Sequence, residues 1–454
     1  MNPEFVRNAW LEMTPRRVAM MIGLLALTFF AAALVGGAEW GPSSVASLLY
    51  YVIVVIWGSR SAALSVVGEI RDRTWDGQRL SSLGAGTMTW GKLFGSTVYN
   101  WFGGLICFAV VLLNVATHLG PATALIELIY YLGIGVIAQA AALLASLIAI
   151  SRGHSHSRFE IFAYQVVGLA AALAVYYVWS AADPVAAMTA HKSSTETIPW
   201  WGVACDARAF LLGSLAIFAA WTLLGCYRAM RLELKMRNGP LVWLAFLAFI
   251  GVYVAGFDAW LSPNMKGWDP VALRMLLAGT AFAVLTYLMV LLEPKDRVHY
   301  RWIEGQVRAG HLAKAFNALQ AWMMSYGATL TTGAVLAAWL ARDVLVASSG
   351  QALVLAGLGF LTRDVSVFVF MQTLPGRRRG DFGALALLFA LYVLAPSILA
   401  GLHIEDFLFL FFPQVESPTW LGAAVAWMEG LAIAAASIAR LALTEREERA
   451  AAAA

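Results

Sequence analysis

The largest group of side chains that could do chemistry lies between two long apolar stretches, in residues 68–92. These candidates combine charges of both signs with a hydroxyl, an indole and a Gly-Lys pair: Glu69, Arg71, Arg73, Thr74, Trp75, Asp76, Arg79, Gly91 and Lys92. Charged groups can set the register of a protein contact, and an aromatic or Arg side chain can anchor it. Charge alone favours a solvated basic loop, whereas the combined spacing of these residues favours a docking loop for a partner protein.

One stretch of this segment imitates a phosphate-binding loop. Residues 86–92 match the pattern G-x-x-x-x-G-K, but Leu93 follows where such a loop has a Ser or Thr to hold Mg²⁺. The segment also follows an apolar stretch of membrane length and not a buried strand. We therefore predict that this chain binds no nucleotide and no other cofactor, so that its energy comes from a partner.

A second polar turn contains two imidazoles, His154 and His156, between Arg152 and Arg158. Two His residues do not complete a metal site, and Glu160 is the only carboxylate beside them. We expect a solvated turn and no bound metal. The functional alternative is a second, smaller contact with the same partner.

Three ionisable residues interrupt apolar stretches: Arg60, Arg363 and Asp364. A charge inside a membrane is costly, so each should pair, reach the membrane surface or line a polar cavity. An internal salt bridge or a cavity wall is the favoured interpretation. Single polar residues in other apolar stretches could face a pathway or join neighbouring helices: Asn100, Asn114, Gln139, Gln165 and Glu429.

Long apolar helices must position these residues. The chain of 454 residues is 61% hydrophobic and 13% charged, whereas about a quarter of the residues in a soluble domain are charged. This excludes a soluble enzyme and predicts an all-α, polytopic transmembrane bundle, because the apolar blocks have the length of about 20 residues that a spanning helix needs. Twelve spans are predicted: residues 19–35, 45–67, 93–115, 122–150, 161–179, 209–226, 241–257, 271–292, 321–340, 352–371, 382–399 and 421–439.

The basic residues predict the orientation of these spans. Most of the 31 Lys and Arg residues fall in segments that lie on the same side of the membrane as the N-terminus when the spans alternate. Since Lys and Arg resist translocation, this bias favours a multi-pass protein with both termini in the cytoplasm.

An amphipathic segment precedes the first span. Asn2 and Pro3 are typical of a helix start, and apolar residues recur at helical spacing: Phe5, Val6, Ala9, Trp10 and Met13. We predict an interfacial elbow helix whose apolar face lies among lipid headgroups. A similar spacing recurs before the ninth span: Leu312, Ala315, Phe316, Leu319 and Trp322.

The docking loop resembles the permease subunits of the ABC-2 exporter family. That family carries the pattern E-(R/K)-E-x-G-T-x-E, a leucine-rich turn and a closing G-K, and Glu69, Thr74, Asp76 and the Gly91-Lys92 pair fall at matching places. Arg73 stands at the position of the family's Gly, and Ser82 lies where a Pro is usual. The resemblance covers about half of the chain, including the elbow helix and the first six spans.

The resemblance of residues 1–238 to that family and the predicted spans after them together predict the organisation of the chain. Residues 1–238 would form a six-span ABC-2-like unit, residues 239–299 two linking spans, and residues 300–454 a four-span unit. Because amphipathic segments precede both the first and the ninth span, residues 300–443 are also interpreted as a diverged repeat of residues 1–158. Chance recurrence is the alternative.

The function implied by the resemblance is that of a membrane permease subunit of an ATP-driven exporter in the bacterial cytoplasmic membrane. The chain itself would not be an enzyme. A separate ATPase subunit, expected in two copies, would hold ATP and Mg²⁺, and the other partners would be membrane lipid and, alternatively, a second permease copy, with no nucleic acid. Two alternatives remain open, a membrane transferase acting on a lipid-linked substrate and an ion-coupled carrier.

Overall fold

The computed structural model forms two compact units. It describes residues 2–37, 41–151, 158–182, 197–263, 265, 267–293, 295, 297–342, 347–373, 380–414 and 419–453. The first unit comprises Met1–Ile198 and Ala204–Asn238, and the second comprises Pro199–Val203 and Gly239–Ala454. Each unit is described separately below.

The first unit is built from helices and contains part of each strand of a short hairpin. Its helices are α1 Pro3–Glu12, α2 Pro15–Gly36, α3 Gly41–Tyr50, a π-helical segment Tyr51–Trp57, α4 Gly58–Arg71, α5 Trp75–Arg79, α6 Ala85–Trp90, a second π-helical segment Gly91–Gly95, α7 Val98–Leu119, α8 Pro121–Ser151, α9 Arg158–Ala182 and α10 Ala207–Glu233. The hairpin pairs β1 Thr197–Trp200 with β2 Val203–Asp206.

The second unit contains the remaining helices. They are α11 Leu241–Ala255, α12 Asp258–Leu261, α13 Pro270–Leu292, α14 Arg297–Arg308, α15 Leu312–Asn317, α16 Ala321–Leu340, α17 Ala347–Thr373, α18 Gly380–Phe389, a π-helical segment Ala390–Leu394, α19 Ala395–Gly401, a 3-10 helix Glu405–Leu410 and α20 Trp420–Ala453.

The predicted all-α polytopic bundle is confirmed. Ten helical stretches of the described residues are long and apolar enough to cross a membrane. Two other predicted spans are also helices but lie outside that set: α11 has 15 residues, and α16 has 20. The total of twelve therefore stays a prediction.

Local sequence signals mark several helix starts. The Asn2 side chain accepts hydrogen bonds from the backbone N–H groups of Glu4 and Phe5 at the start of α1. Asp206 and Asp269 cap α10 and α13 in the same way. Each cap satisfies a backbone donor that the first turn leaves unpaired.

Three amide side chains hold the π-helical segment Tyr51–Trp57 in place. Their nitrogens donate to its backbone carbonyls: Asn100 Nδ2 to Ile53 O at 3.1 Å, Gln139 Nε2 to Val54 O at 3.0 Å and Gln165 Nε2 to Ile56 O at 2.8 Å. Carbonyls inside a membrane need such partners. Of the two alternatives left open by the sequence, these three residues bond neighbouring helices.

The helix predicted before the first span is formed as α1, whereas its interfacial position stays a prediction. The apolar face of α1 is divided, because Phe5, Ala9 and Met13 are half-buried against the unit while Val6 and Trp10 are exposed. Residues 312–322 do not form one helix: α15 ends at Asn317, and Trp322 belongs to α16.

Candidate functional site

The predicted docking loop leaves α4 through a left-handed residue. The N–H of Thr74 bonds to the carbonyl of Glu69 at 2.9 Å and that of Arg73 to Ile70 at 3.1 Å, which is the hydrogen-bond pattern of a Schellman cap. Arg73 has a φ of 59°, a conformation that glycine adopts more readily than other residues. The position where the resembled family has Gly therefore requires the backbone conformation that glycine favours.

A four-charge cluster, formed by Glu4, Arg7, Glu69 and Lys92, joins the loop to α1. Lys92 is only 1% exposed, and its Nζ lies 2.7 Å from Glu4 Oε1 and also contacts Glu69 Oε2. Arg7 Nη2 bonds to the same two carboxylates, at 2.9 Å to Glu4 and 2.5 Å to Glu69. Two cations and two anions balance, so the buried charges are compensated within the cluster.

Amide side chains complete the hydrogen bonding of this cluster. Asn8 Nδ2 donates to Glu4 Oε1 at 3.1 Å and to the Gly91 carbonyl at 3.2 Å. Gln78 Nε2 donates to Glu69 Oε1 at 2.6 Å. These bonds hold both carboxylates, while the Gln78 Oε1 atom is buried without a partner among the described residues.

Gly91 allows α1 to lie directly against the loop. A Cβ atom at Gly91 would be 2.5 Å from Glu4 Cγ and 3.0 Å from the backbone nitrogen of Phe5. Such distances are too short for a side chain without displacement of the helix. In the Gly91-Lys92 pair, the glycine gives α1 room and the lysine binds its carboxylate.

The cluster shifts the pKa values of two side chains of α1, Glu4 and Arg7. Burial would raise the pKa of Glu4, but the hydrogen bond and charge of Lys92, together with Arg7, hold that pKa below its ordinary value. Burial would lower the pKa of Arg7, but its bonds to Glu69 and Glu4 raise it. Both groups are therefore charged near neutral pH.

A second tie links the loop to α10. Arg79 Nε donates to the Glu233 carbonyl at 2.9 Å, and its Nη2 pairs with Glu233 Oε2 at 3.0 Å. Trp75, which was expected to anchor a partner, is only 3% exposed and packs in the core with Met88 and Met230. That expectation is corrected: Trp75 anchors the loop to its own unit.

The remaining predicted loop residues face outward. Arg71, Arg73 and Thr74 are exposed, and the Asp76 side chain is 87% exposed with only a 3.6 Å contact to Arg79. The loop thus has a buried half that fixes it and an exposed half that can meet a partner.

The second predicted turn lies mostly outside the described residues. Arg152, His154 and His156 are not described, and Arg158 begins α9 without a described side chain. Within the part of the chain that is described, no group of three or more His, Cys, Asp or Glu residues could hold a metal ion.

The intramembrane charges differ in their surroundings. In the second unit, Arg363 and Asp364 are buried, and Arg363 Nε bonds to Asp364 Oδ1 at 3.1 Å, which is the expected internal salt bridge. In the first unit, Arg60 is exposed on α4 and forms no ion pair with a described residue. Of the alternatives predicted for Arg60, the internal salt bridge is therefore not formed in the described part of the chain.

Sequence reasoning missed five residues of the site: Glu4, Arg7, Asn8, Gln78 and Glu233. Glu4 and Asn8 are four residues apart, so they share the side of α1 that turns inward. This spacing was the signal for a polar contact on a helix otherwise interpreted as lipid-facing. Glu233 carried no such signal, because its partner Arg79 is far away in sequence.

Comparisons of the chain with protein-family models, curated proteins and solved structures found no match.

Proposed function

We propose that this integral membrane protein is the permease subunit of an ATP-driven ABC exporter of the bacterial cytoplasmic membrane. The observation that carries the proposal is the buried Lys92 bound to Glu4 of α1 and to Glu69 at the start of the loop. The left-handed Arg73 at the family's Gly position also supports it.

The exposed half of the loop would dock onto a separate ATPase subunit. Asp76 and Arg73 supply charges of both signs for register, while Lys92 and Trp75 fix the other half to the bundle. The partner would hold ATP and Mg²⁺, and its closure would push on α5. No enzymatic step is assigned to this chain.

The four-charge cluster would transmit a force on the loop to the membrane helices. Glu69 belongs to α4, Lys92 lies in the π-helical segment Gly91–Gly95 that precedes α7, and Glu4 belongs to the elbow helix α1. A force on α5 would therefore move three elements together, because a bonded charge cluster resists shear.

One chain with two ATPase subunits is favoured over a permease homodimer, and native mass measurement of the complex distinguishes them.

Photo-crosslinking in native membranes tests the proposed docking. A photoreactive residue at Asp76 should crosslink to a protein with an intact phosphate-binding loop, identified by mass spectrometry. The same residue at the exposed Asp406 serves as control and should not capture it. Equal capture at both positions, or none at Asp76, would contradict the proposal, and Asp76→Lys should reduce co-purification of the ATPase.

An ion-coupled carrier is the second candidate function. The observation favouring it is the buried Arg363–Asp364 pair, because paired charges in membrane helices often mark ion pathways. The transferase alternative has no comparable observation in its favour.

A further inference from the structure

A second charge cluster lies in the second unit and is not part of the docking loop. Arg363, on α17, uses Nε to bond to Asp364 and Nη1 to bond to Glu429 Oε2 of α20 at 3.2 Å. Glu429 lies about midway along the candidate span Trp420–Arg440. A helix that crosses the membrane over this range holds the carboxylate near the middle of the bilayer, where charge is most costly.

The charges of this cluster do not balance. It contains one guanidinium and two carboxylates, so one negative charge is in excess when both carboxylates are ionised. The four-charge cluster around Lys92 has no such excess. An uncompensated charge in the membrane favours binding of a positive charge, and the smallest available is a proton.

The hydrogen bonds decide which carboxylate can accept that proton. Both oxygens of Asp364 have partners, since Oδ1 bonds to Arg363 and Oδ2 accepts from Tyr287 at 2.7 Å and from Tyr392 at 2.6 Å. Asp364 is buried, whereas the Glu429 side chain is 42% exposed and bonds through one oxygen only. Glu429 is therefore the less buried and less strongly held carboxylate.

We propose that Glu429 is a proton-binding site in the membrane-spanning part of the second unit. A proton from water forms an O–H bond with a carboxylate oxygen of Glu429, and the ionic contact with Arg363 Nη1 is lost. Arg363 stays paired with Asp364, so the cluster becomes neutral. No electron transfer or other reactant is involved, and release of the proton restores the salt bridge.

The neighbouring groups are consistent with this assignment. The elements packed against α20 present Arg363 and Asp364 from α17, and Tyr287 and Tyr392 reach the cluster from α13 and the segment Ala390–Leu394. From the 3-10 helix Glu405–Leu410, Asp406 is exposed and makes no described ion pair with Glu429. The cation of the cluster is therefore Arg363, whose charge Asp364 already offsets.

Infrared difference spectroscopy of the purified full chain in lipid nanodiscs tests the proposal. As the pH falls from about 9 to about 4, the range over which exposed and buried Glu side chains titrate, the wild-type-minus-Glu429→Gln spectrum should gain a protonated-carboxyl C=O stretch. The same subtraction with Asp406→Asn should lack the environment-shifted band of a low-polarity site. Thermal unfolding of both variants checks that each is folded.

Three results would overturn the assignment. In the first, the subtracted C=O band is absent at every pH. In the second, the band is present but does not change with pH. In the third, Na⁺ or K⁺ at constant pH shifts the carboxylate stretch without a C=O band, which indicates a metal cation in place of a proton. The measurement uses no ATPase, so its outcome is independent of the proposed exporter function.

Discussion

At the scale of single residues, Lys92 determines whether the docking loop is held. Its ammonium group is buried between two carboxylates of different elements. Removing one partner of a buried ion pair leaves the other charges without compensation, which costs about 3–5 kcal/mol. The same side chain lies 5.7 Å from the Trp75 ring centroid, so it also helps to seat the buried indole.

Lys92→Met should therefore lower the free energy of unfolding of the first unit by about 3–5 kcal/mol. Tryptophan fluorescence during heating in detergent follows this unfolding. Lys314→Met is the matched control, because Lys314 is exposed and its loss should change stability by no more than about 0.5 kcal/mol. Equal effects of the two variants would mean that the cluster contributes nothing to the fold.

Arg73 is strained by its left-handed backbone conformation, so replacing it with glycine should stabilise the protein, in contrast to Lys92→Met. Arg73→Gly should raise the free energy of unfolding by about 1 kcal/mol, since a non-glycine residue in this conformation costs about 1–2 kcal/mol. Arg71→Gly, in the last turn of α4, should lower it by about 1 kcal/mol. Thermal unfolding of both variants provides the measurement, and a loss of stability in Arg73→Gly would be contrary to the expectation.

At the scale of elements, α1 and the loop form one assembly because Gly91 lets them touch. Gly91→Ala should push α1 away and cost about 1–3 kcal/mol. Gly84→Ala is the control, because nothing lies within 4 Å of a Cβ there. Limited proteolysis at Arg7 reports the displacement, and it should accelerate only in Gly91→Ala. Unchanged cleavage in both variants would show that α1 tolerates the extra methyl group.

The sequence predicts elements better than it predicts their contacts. The second predicted span, residues 45–67, could be located from its apolar residues, but its π-helical segment Tyr51–Trp57 could not, because the amides that stabilise it come from residues distant in sequence, such as Gln139. The loop residues were found by type and spacing. The division of the loop into a buried and an exposed half could not be predicted, because the residues that bind the buried half, Glu4 and Glu233, come from opposite ends of the unit.

At the scale of the whole molecule, the apolar composition determines the fold class, while the distribution of basic residues predicts the sidedness. Two helices, α11 and α16, decide the number of crossings. If both cross, or if neither does, Asp76 and Asp406 lie on opposite sides of the membrane, because the number of crossings between them is odd. If only one crosses, the two residues lie on the same side. A third position is needed to distinguish the first two cases.

Ser262 provides that position, because it follows α11 and is exposed. With the native Cys residues replaced by Ser, single cysteines at Asp76, Ser262 and Asp406 should react with a membrane-impermeant maleimide from different sides. Twelve spans with a cytoplasmic N-terminus place Asp76 inside and the other two outside. If Asp76 and Ser262 are both labelled from the inside, α11 does not cross. Labelling of Asp76 from the outside would reverse the orientation. The latter result would also remove the docking loop from the reach of a cytoplasmic ATPase.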